Sequence, residues 1–224
     1  MRMRRKKHLE ERLDNLSNVL FVDYGSMNSL EAVKDKAYFD YKEIFNNENP
    51  VHLEIGCGKG KFVCEIAKRN PDINYIAVEK NKNVIMLAGE RAKSENLDNV
   101  IFICCGAEYL EKFLPDKSIE LIYLNFSCPY PKGSYARHRL THERFLGIYK
   151  ILLSNGGKIY QKTDNRGFFE FSLESFSKCG YLLENISLDL HNSSFEGNIE
   201  TEYEERFASQ GFPIYRLEAI PPKE

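Results

Sequence analysis

From Val51 to the C-terminus the chain alternates between strand-like and helix-like hydrophobic periods. Val51-His52-Leu53-Glu54-Ile55 alternates as a strand entering a core does, and Phe62, Val63, Ile66 and Ala67 then form a helical stripe over Lys61 to Arg69. Tyr75 to Glu79 predicts a second strand, Asn83 to Glu95 a helix, Val100 to Cys104 a third strand and Ile119 to Phe126 a fourth. A helix over about Thr141 to Leu153, stopped by Asn155-Gly156-Gly157, leads to a fifth strand over Lys158 to Thr163 and a helix over Phe168 to Lys178. Strands near 181–190 and 214–220 come last, with no obvious helix between them, and read as an antiparallel hairpin at one edge. Helices between strands imply right-handed crossovers and a mainly parallel α/β sheet. Residues 13–50 lack a clear period, although Tyr38, Phe39, Tyr41, Ile44 and Phe45 predict a helix packed on the sheet before Pro50.

The junction of the first strand and helix carries the most informative spacing. Glu54-Ile55-Gly56-Cys57-Gly58-Lys59-Gly60 reads E-x-G-x-G-x-G. Glycines there supply φ > 0 and a backbone free of Cβ, so that a ligand can approach the amides of the helix start. A dinucleotide fingerprint would place its third glycine where Lys61 stands. The acid two residues before the first glycine would repel a pyrophosphate and accept hydrogen bonds from an ammonium group. S-adenosylmethionine has such a group beside a sulfonium, and no phosphate. Glu79, at the carboxyl end of the next strand, is placed to bind ribose hydroxyls. A tight turn with no ligand, a nicotinamide dinucleotide and a solvated strand end at Glu79 are the competing readings.

A chain of 224 residues can bury one sizeable core, and its 42% hydrophobic and 29% charged content is ordinary for a soluble protein. The net charge of −2 leaves nucleic-acid contact to local basic clusters. One is the N-terminus: Arg2, Arg4, Arg5, Lys6, Lys7 and Arg12 read either as a solvated, disordered tail or as a polybasic arm that meets phosphates. Residues 1–34 are therefore assigned to a basic arm and 35–224 to a single catalytic domain. No apolar run suggests a signal or a membrane span, so a cytoplasmic protein is expected. The six cysteines lack C-x-x-C spacing, so no metal is expected and the thiols should be reduced.

The fourth strand runs into Asn125-Phe126-Ser127-Cys128-Pro129-Tyr130-Pro131-Lys132, a proline-stiffened stretch at the sheet end where open α/β folds place chemistry. Arg137, His138, Arg139, His142 and Arg144 follow at a helix entry, where the dipole favours acids, so this cationic cluster calls for phosphate. A merely solvated face is the alternative. Tyr130 and Tyr135 are placed to stack on a flipped base or to serve only as packing.

With these residues in view, the sequence from about Asp35 onward resembles the bacterial tRNA (guanine-N7)-methyltransferases of the TrmB type. The resemblance rests on Glu54 to Gly60, on Asn125 to Lys132 with Arg137-His138-Arg139-Leu140-Thr141, on Lys162-Thr163-Asp164-Asn165, and on Thr201-Glu202-Tyr203-Glu204-Glu205-Arg206-Phe207. It implies a class I S-adenosylmethionine-dependent, Rossmann-like fold with a seven-stranded sheet and an antiparallel edge strand. It also implies methyl transfer from S-adenosyl-L-methionine to N7 of guanosine 46 in the tRNA variable loop. Glu54, Gly56, Gly58, Gly60, Glu79, Gly106 and Cys128 match positions on the cofactor side; Lys132, Asp164, Thr201 and Glu204 match substrate-binding positions, with Arg137 and Arg139 beside them. Cys128 and Asp164 fall at the catalytic positions. The partner implied is tRNA, with no membrane, and the protein is read as monomer or homodimer.

The chain departs from the family pattern twice. Cys128 stands where the family carries an aspartate regarded as catalytic, with Tyr130 for its tryptophan. Gly106 stands where an acid near the adenine is usual, and Glu108 is the candidate substitute. Guanine N7 has a free lone pair and no proton to lose, so placement matters more than a base. The expectation is an active but handicapped enzyme. The alternatives are a catalytically impaired tRNA-binding paralogue that keeps the cofactor fold, and an enzyme retargeted to another base with Cys128 as positioning group or nucleophile.

Overall fold

A computed structural model describes residues 6–23 and 28–223. Arg2, Arg4 and Arg5 of the basic N-terminus lie outside the described residues. The chain divides into two compact units, Met1–Pro115 and Asp116–Glu224.

The first unit runs α1 (Leu9–Asp14), β1 (Val19–Phe21), α2 (Ser29–Ala32), α3 (Tyr41–Phe45), β2 (Val51–Ile55), α4 (Lys61–Arg69), β3 (Asn74–Val78), α5 (Lys82–Ser94), β4 (Val100–Cys104) and α6 (Leu110–Phe113). Its strands lie in the order β1-β4-β3-β2, all parallel, with Leu53 opposite Ile76 and Ala77 opposite Phe102. Every residue of β3 and β4 is buried, as in strands covered on both faces. The carboxyl ends of β2, β3 and β4 therefore share one rim. Residues 6–23 pack onto α5: Leu9 and Leu13 are buried, and Arg12 donates to both oxygens of Glu90 at 2.7 and 2.6 Å. Gly89 makes room for this segment, since a Cβ there would stand 2.5 Å from Val19 Cγ2.

The second unit runs β5 (Ile119–Asn125), α7 (Glu143–Leu152), β6 (Leu153–Thr163), α8 (Arg166–Lys178), β7 (Leu182–Ser187), α9 (Glu202–Ala208) and β8 (Tyr215–Ile220). Its order is β5-β6-β8-β7, with β5 parallel to β6 and β8 antiparallel to both neighbours. Helix starts are capped by side chains: Asn165 accepts from Phe168 N at 2.8 Å for α8, and Thr201 with Glu204 forms a reciprocal capping box for α9.

Three expectations are corrected. The described residues hold eight strands rather than seven, the extra one being β1, only three residues long. Asn155-Gly156-Gly157 does not stop a helix in a loop. α7 ends at Leu152 and these residues already belong to β6, where Gly156 has φ 85 and the β5–β6 register shifts between Ile119 and Leu121. The glycines thus build a bulge. The last two strands pair antiparallel as expected, but a helix, α9, lies between them in sequence.

Candidate active site

In the first unit the glycine turn takes the shape its spacing predicts. Gly56, Gly58 and Gly60 have φ of 84, 58 and 77, a region costly for residues with a Cβ. A Cβ on Gly56 or Gly58 would meet nothing within 4 Å, whereas one on Gly60 would stand 3.0 Å from Ala88 Cβ. The first two glycines thus keep open space over the backbone, and the third lets α4 pack on α5. The amides of Gly56 and Cys57 both donate to Val78 O, at 2.8 and 3.1 Å, which ties the turn to the end of β3.

Two carboxylates flank that turn. Glu54, in β2, is 2% exposed. Glu79, just past β3, accepts from Asn81 N at 2.9 Å. Burial raises the Glu79 pKa, while the amides of Asn81, Gly58 and Lys80 and the Lys80 charge work the other way. Burial, then the charges of Glu54 and Glu79, also push the Cys57 thiol well up, so it stays protonated. At the end of β4, a Cβ on Gly106 would stand 2.5 Å from Glu108 Oε2. The Glu108 carboxylate thus lies over the glycine that replaces the expected acid.

In the second unit the proline stretch begins and ends in strained backbone: Phe126 and Tyr130 have φ of 49 and 41. Phe126 N donates to Lys162 O at 2.8 Å, and Cys128 is exposed. Lys132 and Arg137 are exposed on or beside the 3-10 segment Gly133–His138, which has no buried residue. The His138 ring lies 5.7 Å from that of Tyr130 and 6.1 Å from that of Tyr135. Arg139 is differently placed. Its Nε donates to Pro129 O at 2.9 Å, its Nη2 to Tyr130 O at 3.0 Å, and its guanidinium lies 4.3 Å from the Phe171 ring centroid. It clamps the proline stretch instead of standing free beside Arg137.

Asp164 follows β6 and is half-buried. Tyr203 is its neighbour: burial and then the Asp164 charge and hydrogen bond raise the tyrosine pKa. Thr201 caps α9, and Glu204 is wholly buried. Glu204 is held by Lys162, His191 and Asn198, none of which sequence reasoning singled out as site residues. Phe126 and Tyr203, with ring centroids 5.3 Å apart, were likewise missed as a pair. Only the aromatic at the strand end, inside an otherwise polar and proline-rich stretch, hinted at the first of them.

The first unit thus offers open backbone over two glycines, a buried acid before them and a second acid, Glu79, at the end of the neighbouring strand. This suits a nucleoside that bears an ammonium group and lacks phosphate. Fold and site together define a class I S-adenosylmethionine-dependent methyltransferase. Among solved structures the chain is similar to the 16S rRNA methyltransferase KamB, with TM-score 0.62, 17% identity, and 84% of this chain and 96% of that one covered. It is also similar to Haemonchus contortus phosphoethanolamine N-methyltransferase 2 in complex with S-adenosyl-L-methionine, with TM-score 0.52, 15% identity, and 81% and 51% covered.

A family profile described as "Putative methyltransferase" matches residues 48–217. Two proteins called tRNA (guanine-N(7)-)-methyltransferase, from Listeria monocytogenes serotype 4b and Listeria welshimeri, are each 50% identical over 179 residues, or 80% of this chain and 84% of theirs. The chain belongs to the TrmB-type tRNA (guanine-N7)-methyltransferase family. Its cofactor is S-adenosyl-L-methionine. Among the described residues no helix is long and apolar enough to cross a membrane.

Proposed function

We propose that the protein methylates N7 of a tRNA guanosine, at position 46 of the variable loop, in the cytoplasm where tRNA is matured. The observation that carries the substrate half of this reading is the segment Gly133–His138. None of its residues is buried, and neither Lys132 nor Arg137 has an acidic group within ion-pair distance among the described residues. Uncompensated cations beside the exposed Tyr135 and the half-buried Tyr130 suit single-stranded RNA, where phosphates position the chain and unstacked bases find aromatic faces.

When bound, S-adenosylmethionine supplies a methyl group on a positively charged sulfur. Glu54 and Glu79 hold its polar ends, Gly56 and Gly58 let the backbone approach, and Glu108 stands in for the acid missing at Gly106. Lys132 and Arg137 take phosphates. Asp164 holds the purine by its donor edge and faces the positive charge that the ring gains as N7 is alkylated. Thr201 and Glu204 enter as parts of the N-terminal turn of α9. Because N7 has no proton to lose, orientation does most of the work, with about 7–11 kcal/mol available from it.

Cys128 stands where the family aspartate is read. A thiol brings no formal negative charge, so a preorganised contribution of about 2.7–4 kcal/mol is forgone if it resembles other such contributions. The exposure of Cys128 in a strained loop favours one alternative, a tRNA-binding paralogue without turnover. Incubating unmodified tRNA with labelled S-adenosylmethionine and mapping 7-methylguanosine along the chain separates the two. Label at guanosine 46 supports the reading, label at another base overturns the assignment of position, and tight tRNA binding without label supports the paralogue.

A further inference from the structure

The buried carboxylate of Glu204 has no acceptor capacity left for a substrate. Oε2 accepts from Lys162 Nζ at 2.7 Å and from Thr201 N at 3.4 Å; Oε1 accepts from Asn198 Nδ2 at 2.7 Å and meets His191 Nε2 at 3.1 Å. A carboxylate offers about four lone-pair sites, and four are taken. Lys162 is similarly committed: its ammonium also donates to Asn198 Oδ1 and Ile199 O, both at 2.9 Å, which uses its three protons. Both side chains are nearly or wholly buried. Charges so placed persist only when paired and hydrogen-bonded, and removing one partner leaves the other stranded.

The pair also joins three segments. The Lys162 carbonyl accepts from Phe126 N at the start of the proline stretch, at 2.8 Å. Its side chain grips the N-terminal turn of α9, and Asp164 lies two residues further along. Through this grip Tyr203 packs against Phe126, at 5.3 Å, and against Phe207, at 4.3 Å.

We infer that Lys162 and Glu204 are positioning residues. Their buried ion pair pins α9 to the end of β6 and thereby fixes Asp164, Phe126 and Tyr203 as the face that receives the guanine. This rests on the methyltransferase reading above, and it moves Glu204 from direct contact with the base to the support behind it.

The test compares full-length wild type with Lys162→Met, Lys162→Arg and the near-isosteric Glu204→Gln. Hydrogen exchange over residues 198–208 reports the pin without any need for turnover. Lys162→Met and Glu204→Gln should exchange there at least about tenfold faster than wild type, with Lys162→Arg in between. Under saturating S-adenosylmethionine, kcat should fall about 100-fold in Lys162→Met while KM for tRNA stays within about threefold. Calorimetric binding of S-adenosylhomocysteine should be unchanged, and a far-UV circular dichroism spectrum like that of wild type with a cooperative thermal transition certifies that each variant is folded.

Unchanged exchange over 198–208 in the folded variants would overturn the inference. So would a rise in KM with kcat preserved, which marks direct contact. If Lys162→Met fails to fold, Glu204→Gln carries the same two readouts. If wild type transfers no methyl group to tRNA, the functional reading fails separately, and the exchange result still decides the pin.

Discussion

The carboxylate of Glu108 occupies the space that a side chain at Gly106 would fill: a Cβ there would stand 2.5 Å from Oε2 and 2.8 Å from Cδ. Two residues separated by one alanine thus share one space, the glycine leaving it open and the glutamate carboxylate filling it. The pair sits at the carboxyl end of β4, next to the β3 end that bears Glu79. If Glu108 accepts a hydrogen bond from the bound nucleoside, Glu108→Gln should weaken S-adenosylhomocysteine binding about tenfold, the scale of one hydrogen bond to a charged group. Calorimetry checks this; unchanged affinity would mean that the carboxylate only covers the glycine.

Gly58→Ala and Gly60→Ala should differ although both place alanine at positive φ. Each incurs about 1–2 kcal/mol of left-handed strain. Only Gly60→Ala also drives a Cβ to 3.0 Å from Ala88, so it should melt lower. At about 2–4 °C per kcal/mol for a chain of this size, the gap is measurable by thermal unfolding. Gly58→Ala should instead cost cofactor affinity, because its Cβ enters the open space over the turn.

Arg137 and Arg139 look equivalent in sequence and should behave differently in salt titrations. Arg137→Gln should lower the slope of log affinity for tRNA against log salt by about 0.7–0.9, the value for one phosphate contact. Arg139→Gln should leave the slope nearer wild type while lowering transfer, because its donors are spent on the carbonyls of Pro129 and Tyr130. Equal slope changes for the two would contradict the clamp.

Acid should destabilise the fold through His52. Its ring meets Tyr75 edge-on at 5.5 Å, and burial lowers its pKa to about 4, against 6.5 for the free side chain. The unfolded chain therefore binds a proton first as pH falls below 6.5, and stability is lost between there and about pH 4. By pH 4 the loss from this group is of order 3 kcal/mol. His52→Phe should flatten that part of the stability profile relative to wild type, and an unchanged profile would contradict the assignment.

What sequence could reveal follows from how local each feature is. The glycine turn was legible because positive φ at alternate positions demands glycine, and the acids at Glu54 and Glu79 fall at strand ends that periodicity marks. Gly156 was misread because a helix stop and a strand bulge call for the same residue. β1 is too short to show a period, and residues 13–50 give no other cue to it. α9 was missed because its buried position is a glutamate, Glu204, and no apolar stripe announces it. Nothing local indicates that Lys162 is the partner of a residue 42 positions on. The same holds for the roles of Arg137 and Arg139, which are set by contacts with Pro129, Tyr130 and Phe171.

The most direct test of the account is single-turnover methyl transfer to unmodified tRNA, run side by side for wild type and Cys128→Asp, with the product base identified by mass spectrometry. Wild type should form 7-methylguanosine slowly, and Cys128→Asp should form it up to about 100-fold faster if a carboxylate restores the forgone stabilisation. Absence of 7-methylguanosine from both, in protein that binds S-adenosylhomocysteine and tRNA, would contradict the enzymatic reading.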